Sequence, residues 1–406
     1  MTVHTGTREK LVEYIKAGEK KADSPFLLGI ELEHIIIDTK TGKAVSYYGE
    51  QGVGQILKEL SVDYPDVIME KSAIVGLKGE DFLITLEPAG QLEISIDPMS
   101  SLKETQKIYL SFLEKLQSVL EKYKYTVVQF GYQPKDCVEN LDLIPKERYR
   151  FMDTYFQTIG PFGRQMMRGT ASTQITIDYT SEQDFKRKYQ LAYQLSPILM
   201  FLFDHTPFYE GKENKYPMLR YKIWQGVDEK RVNIFENIDF SDISYDAYAR
   251  FVGKAPIIVK QTNEEITYST QMAKDVYENP TWEEVIHMLS MVFPVVRVKQ
   301  FLEIRYGDSM NWKQAMCYAA WIKGLFLEID RTEQYFQALQ AGSVKNMDCA
   351  FQALIAEGVQ AKVYGKPFLD IVQDLAAIVK EMLPEEEQVY LAKEYCTECL
   401  WNILEK

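Results

Sequence analysis

The sequence predicts an α+β fold built on an antiparallel sheet. Three observations carry this reading. Several segments alternate apolar and polar residues with period two, the mark of a strand with one buried face. Other segments place apolar residues at helical spacing. The two kinds are interspersed without the regular strand–helix–strand units of a parallel, doubly wound sheet.

The elements follow in order. Residues 7–18 read as a short amphipathic helix, and 26–37 (FLLGIELEHIII) as a strand. Within 81–97, FLITLE and QLEISID read as two strands joined at Pro88-Ala89-Gly90. Over 103–123 the period changes, and Ile108, Phe112, Leu116, Val119 and Tyr123 fall on one helical stripe. A strand is predicted at 125–132 (YTVVQFGY), then a mixed region to 163. Residues 171–179 (ASTQITIDY) alternate cleanly and predict another strand. Thr180 or Ser181 is placed to cap a long helix over 182–203, which Pro197 should kink or end early. Strand-like pieces recur at 219–224 and 300–305, and from about 312 the pattern is helical almost to the end. With no repeat and no Pro/Gly-rich linker, a single domain over 1–406 is expected, mainly helical in its last part.

Composition bounds the function. Of 406 residues 46% are hydrophobic and 26% charged, which is globular and not disordered or fibrous. Acidic residues outnumber basic ones, 59 to 46, leaving a formal charge of −13 that repels phosphate backbones and anionic lipid. Neither nucleic acid nor membrane is an expected partner. No stretch of 18 apolar residues occurs, and Met1–Lys21 is charged and lacks an apolar signal core, so a cytoplasmic protein is expected. Five Cys do not make a disulfide framework, and the C-x-x-C of Cys396 and Cys399 reads as two half-buried thiols on a helix. The four His (His4, His34, His205, His287) form no H-E-x-x-H and no cluster. A bound metal would therefore take mainly oxygen ligands, which favours Mg²⁺ or Mn²⁺ over Zn²⁺.

Acids recur on the polar faces of the predicted strands. Residues two apart share a face. Glu31 and Glu33 point one way; Gln91, Glu93, Ser95 and Asp97 share a face; so do Ser172, Gln174, Thr176 and Asp178, and so do Glu303 and Arg305. Glu87 ends the strand before the Pro-Ala-Gly turn. An antiparallel sheet with one wet face alternates in the same way. These segments, however, are rich in Ile and Leu, and acids facing one another across strands repel. A row of Glu is tolerable where divalent cations sit among them, so the sheet reads as the floor of a metal–nucleotide site. There is no G-x-x-x-x-G-K-[ST] loop for phosphate and no G-x-S-x-G, and Gly49, Gly52 and Gly54 read as a turn.

At these residues the chain resembles the glutamate–cysteine ligases of the plant and proteobacterial type. The matching stretches include GIELEH (29–34), LEPAGQLEIS (86–95), QPKDCVENLDLIPKERYRFMDTYF (133–156), MMRGTASTQITIDYTSE (166–182), PFYEGKENKYPMLRYKIWQGVDEKR (207–231) and FPVVRVKQFLEIRYGDSMNW (293–312). The resemblance implies a fold like the catalytic domain of glutamine synthetase, an antiparallel funnel backed by helices. It implies ATP-dependent joining of the L-glutamate γ-carboxylate to the L-cysteine amine through a γ-glutamyl phosphate, the first step of glutathione-type thiol biosynthesis. Carried over by motif, Glu31, Glu33, Glu87, Glu93 and Glu303 would form the Mg²⁺ or Mn²⁺ shell. Arg305, beside Glu303, would meet the transferring phosphoryl group. Gln174, Arg220, Trp224, Arg231, Thr170 and Arg168 would contact substrate or ATP. The sequence departs from the family pattern where Arg168-Gly169-Thr170 displaces the arginine by one position, and at Tyr306, where Gly is frequent. Neither the N-terminal extension of plant members nor a second ATP-grasp domain is expected. A ligase for a different amine acceptor, and a non-catalytic metabolite-binding relative, are the alternatives.

Overall fold

A computed structural model describes residues 6–405 apart from 237 and 262–265; His4 lies outside the described residues. The strands are β1 (Leu28–Asp38), β2 (Asp66–Glu70), β3 (Ala73–Lys78), β4 (Phe82–Leu86), β5 (Leu92–Met99), β6 (Tyr125–Val128), β7 (Ser172–Ile177), β8 (Phe208–Tyr209), β9 (Lys212–Glu213), β10 (Pro256–Gln261), β11 (Ile266–Met272), β12 (Val296–Val298), β13 (Leu302–Asp308), β14 (Lys362–Val363) and β15 (Lys366–Pro367). Among the described residues nine of them form one sheet in the order β12-β13-β7-β1-β5-β4-β3-β2, with β6 on the far end of β1. Its pairings are antiparallel. The remaining strands make three small hairpins.

The period-two pattern determines which face the sheet buries. Ile30, Leu32, Ile94, Ile96, Ile84, Ile175, Ile177, Leu302 and Ile304 all point to one side and are almost wholly buried. The helices Leu102–Tyr123, Glu182–Leu202 and Trp312–Leu327 pack on that side. Covering each Ile or Leu stabilises by roughly 1.5–3 kcal/mol. The opposite face keeps the acids, and it is the face with the cavity described below.

Some elements depart from the sequence reading. Residues 219–224 are not a strand but belong to a short helix, Leu219–Gln225. Met218 enters it with a left-handed backbone (φ 53°), and the Met218 amide donates to the Asp204 carboxylate at 2.8 Å. Leu219 and Ile223, spaced by four, are the buried pair. Pro197 does not end the helix Glu182–Leu202. Proline removes the N–H that would reach Tyr193, and the Ser196 hydroxyl donates to that carbonyl instead, at 2.7 Å. Ser181 caps this helix by accepting from the Asp184 amide. The strand predicted at 125–132 is only β6, and the β14–β15 hairpin interrupts the helical C-terminal portion. Cys396 and Cys399 do not share a helix: the last helix starts at Glu398, and Cys396 before it is buried rather than half-buried. Cys396 lies with its sulfur 3.9 Å from that of Cys317, and Cys399 is half-buried. Among the described residues no helix is long and apolar enough to cross a membrane.

Candidate active site

The polar face of the sheet floors a cavity of ≈ 240 Å³. The register explains how the acids reach it. Glu31 on β1 lies between Gln174 on β7 and Ser95 on β5, and Glu33 lies beside Glu93. Thr85 on β4 follows Glu93 in the next strand. Glu87 projects from the turn after β4, where its amide donates to the Gln91 carbonyl and Gly90 takes the left-handed conformation (φ 85°) that closes the turn. Glu31, Glu33, Glu87 and Glu93 all line the cavity.

A second part of the cavity wall is basic. Arg148, Arg220, Arg297, Lys299 and Arg305 line it, with Trp224 and Phe293 between them. The Arg305 guanidinium sits 5.3 Å from the Trp224 ring centre and donates through Nη1 to Gln174 at 2.7 Å. Four carboxylates and five cations thus line one cavity, with Gln174 on β7 between Glu31 on β1 and Arg305 on β13.

Burial sets the charge states. It raises the Glu31 carboxyl to about 7, with Glu303 and Glu93 adding repulsion. Burial raises Glu33 to about 8, helped by Glu87 and Glu93, although Ser172 donates to it through both amide and hydroxyl at 2.8 Å. Burial and Glu87 raise Glu93 to about 7. Burial also raises Glu87, against the pull of Lys146 and Arg148. Glu303 behaves oppositely. Burial disfavours its charge too, but Arg297, Lys299 and Arg305 together outweigh burial and hold it well below the usual carboxylate range.

Not every expected residue reaches the cavity wall. Glu31, Glu33, Glu87, Glu93, Gln174, Arg220, Trp224, Thr170 and Arg305 do. Glu303 is fully buried, and both its oxygens are taken: Arg297 at 2.6 Å, Arg305 at 2.6 Å and Lys299 at 2.8 Å. A cation could reach Glu303 only by displacing one of these side chains, so here it acts as the counter-ion of the basic wall. Arg231 lies away from the cavity wall. It is wholly buried, paired with Asp228 at 2.9 Å and donating to the carbonyls of Met291 and Pro256, so it knits the core. Arg168 is likewise held by Asp153 at 2.7 Å and by the Leu141 carbonyl at 2.8 Å, which pins the 138–141 turn and leaves it off the wall.

Sequence reasoning passed over Arg148, Arg297 and Lys299. The signal for two of them was present: in Val296-Arg297-Val298-Lys299 the basic residues alternate with buried valines, so they share a face as Glu303 and Arg305 do. Arg148 gave no such signal, since it sits at the start of the helix Glu147–Phe156 and reaches the cavity through tertiary packing.

The donors fit a hard divalent cation. The Glu31 and Glu87 carboxylates make no hydrogen bond to protein among the described residues, and all four cavity acids offer oxygen atoms to the one cavity. Among the described residues no three acidic, His or Cys side chains are gathered into a ready cage for one ion. Mg²⁺ does not require one, since it is commonly held by one or two carboxylates together with water and phosphate oxygens. An acidic wall for cations and a basic wall for oxyanions can together hold a phosphoryl group in transit.

Comparison with known proteins is consistent with this. The model of one family, Glutamate-cysteine ligase family 2, matches residues 27–355. Glutamate–cysteine ligase A, chloroplastic, of Oryza sativa subsp. indica is 30% identical over 333 residues, covering 79% of this chain and 67% of its own. The chloroplastic glutamate–cysteine ligase of Arabidopsis thaliana is 28% identical over 335 residues, covering 80% and 63%. The chain spans about two thirds of the length of these relatives. The crystal structure of glutamate–cysteine ligase from Francisella tularensis in complex with AMP shares the fold at 12% identity, with a TM-score of 0.55 over 96% of this chain and 82% of that one.

Proposed function

The chain belongs to glutamate–cysteine ligase family 2, and from that membership we propose that it uses ATP to join the γ-carboxylate of L-glutamate to the amine of L-cysteine. The glutamate γ-carboxylate attacks the γ-phosphorus of ATP, forming γ-glutamyl phosphate and releasing ADP. The cysteine nitrogen then attacks the acyl carbon, loses a proton, and expels phosphate, leaving γ-glutamylcysteine. On this reading the reaction is the first step of a glutathione-type thiol pathway, run in the cytoplasm by one catalytic domain over 1–406.

The observation that carries the reading is the pairing of an acidic wall with a basic wall around one cavity. Transfer onto an anionic carboxylate brings negative charges together, so catalysis is mainly positioning and neutralisation. Mg²⁺ or Mn²⁺, held by Glu31, Glu33, Glu87 and Glu93, would neutralise the phosphates and polarise the transferring group. Arg305 is braced by Glu303, Gln174 and Trp224, so its guanidinium is fixed before the phosphoryl group arrives. Arg297 and Lys299 add charge from the same side, and Arg220 offers a donor to substrate oxyanion.

The experiment is phosphate release from purified protein with ATP, Mg²⁺, glutamate and a panel of amines. Release with cysteine supports the proposal. Release only with another amine makes the protein a different carboxylate–amine ligase, and release with none makes it a metabolite-binding relative.

A further inference from the structure

Arg220 is buried, yet it borders the cavity, and the way it is held is specific. Its Nε donates to Asp308 Oδ1 at 2.8 Å. Its Nη2 donates to three successive carbonyls, Arg305 at 2.8 Å, Tyr306 at 2.7 Å and Gly307 at 3.0 Å. Those carbonyls become available because β13 slips register against β7 between Ile304 and Gly307, a bulge that turns the backbone out of the ladder. The second Asp308 oxygen accepts from the His205 amide at 2.8 Å and the Thr206 hydroxyl at 2.7 Å. Asp204, next in the same cluster, anchors the left-handed Met218 that opens the helix carrying Arg220. Among the described residues Nη1 of Arg220 has no protein hydrogen bond, and Arg220 is one of the residues that line the cavity.

We propose that Asp308 is the positioning residue for Arg220, holding the guanidinium so that Nη1 is presented to an oxyanion of the substrate. The oxyanion is a carboxylate of the amino-acid substrate or a phosphate of the nucleotide. The identity of those substrates rests on the ligase reading above; the cradle itself does not. Asp308 and the bulge carbonyls occupy Nε and Nη2 of Arg220 and leave Nη1, while Asp204 fixes the start of the helix that carries it. A charge-assisted bond delivered by a fixed guanidinium is stronger and more selective than one from a mobile surface arginine. Space around Asp308 is also tight: a Cβ on Gly131 would stand 2.1 Å from Asp308 Oδ2.

The test uses Asp308→Asn, Gly131→Ala and Arg220→Lys in the full chain. Asp308→Asn removes the charge and keeps the size. It should raise the KM of one anionic substrate about tenfold or more, with kcat changed less. Whether the glutamate or the ATP KM moves identifies the oxyanion. Gly131→Ala, which forces the carboxylate to shift without touching the site, should raise the same KM. The Asp308→Asn/Arg220→Lys double variant should be no worse than Arg220→Lys alone, because the two act as one unit. Unchanged KM values in folded Asp308→Asn overturn the proposal, as does a uniform fall of all constants in step with melting temperature. If Asp308→Asn does not fold, Gly131→Ala decides by the same criterion. If wild-type protein ligates no amine, the ligase reading fails while this proposal is still tested by calorimetric titration with ATP and with glutamate. Wild-type binding of one that is weakened equally by Asp308→Asn and Arg220→Lys supports it, and equal binding by all three overturns it.

Discussion

Glu33 and Glu93 are direct cross-strand partners on β1 and β5, two carboxylates where a sheet ordinarily avoids like charges. Burial and repulsion from Glu87, joined for Glu33 by Glu93, hold Glu33 at about 8 and Glu93 at about 7. In the unfolded chain both return to the ordinary range near 4.5. The native state therefore binds more protons than the unfolded state between about 4.5 and 8. Their contribution to stability is complete below 4.5 and is lost as pH rises through 7 to 8. Metal-free protein should be less stable at pH 8 than at pH 6, and added Mg²⁺ should restore it while releasing protons. In Glu33→Gln the metal-free protein should gain about 1 kcal/mol or more at pH 8 and lose most ligase activity. Scanning calorimetry with and without EDTA at both pH values checks the sign.

Glu303→Gln should move stability the other way. The neutral amide would leave Arg297, Lys299 and Arg305 crowded together without their anion. Breaking a buried ion cluster on one side costs about 3–5 kcal/mol. A lower melting temperature in the metal-free variant, alongside a fall in kcat, fits the counter-ion role. A rise in melting temperature, as expected for Glu33→Gln, would instead put Glu303 among the cation ligands.

Arg231 separates fold from function. Arg231→Met strands the Asp228 carboxylate, which then keeps only Tyr155 and the Lys230 amide as partners. The expected loss is about 3–5 kcal/mol of stability, with KM values of the surviving folded enzyme within about twofold of wild type. A large KM change at unchanged melting temperature would return Arg231 to the substrate site.

The contrast between Arg231 and Glu31 shows what was legible in the sequence. Strand periodicity tells which side of the sheet a residue faces, because alternation is a local property of the backbone. It brought Glu31, Glu33, Glu93, Gln174 and Arg305 to one face, and the structure puts all five on the cavity wall. The partner of an arginine is not local. Nothing in the residues beside Arg220, Arg231 and Arg168 names their partners, and tertiary packing sends the first to the cavity and the others to Asp228 and Asp153. The helix Leu219–Gln225 was unreadable for the same reason. Its start depends on Asp204, fourteen residues earlier, holding Met218 in a conformation that methionine rarely adopts alone.

His34 tests the buried side of β1. It ends the Glu31-Leu32-Glu33-His34 run yet points away from the carboxylates, into the core. Its Nδ1 lies 3.0 Å from the Leu92 carbonyl and its Nε2 2.7 Å from the Tyr109 hydroxyl. Burial disfavours the imidazolium and lowers its pKa from 6.5 to about 4, so the ring is neutral in the folded protein. The unfolded state then binds more protons between about 4 and 6.5. The stability His34 contributes is present above 6.5 and is lost as pH falls through 4. His34→Gln keeps hydrogen-bonding capacity and cannot be protonated. Its unfolding free energy should be lower than wild type at pH 7, by about 1–3 kcal/mol for the imperfect fit, but should fall less steeply between pH 6.5 and 4. Urea unfolding across that range measures both slopes; parallel slopes for wild type and variant would show that His34 is not the group that takes up the proton.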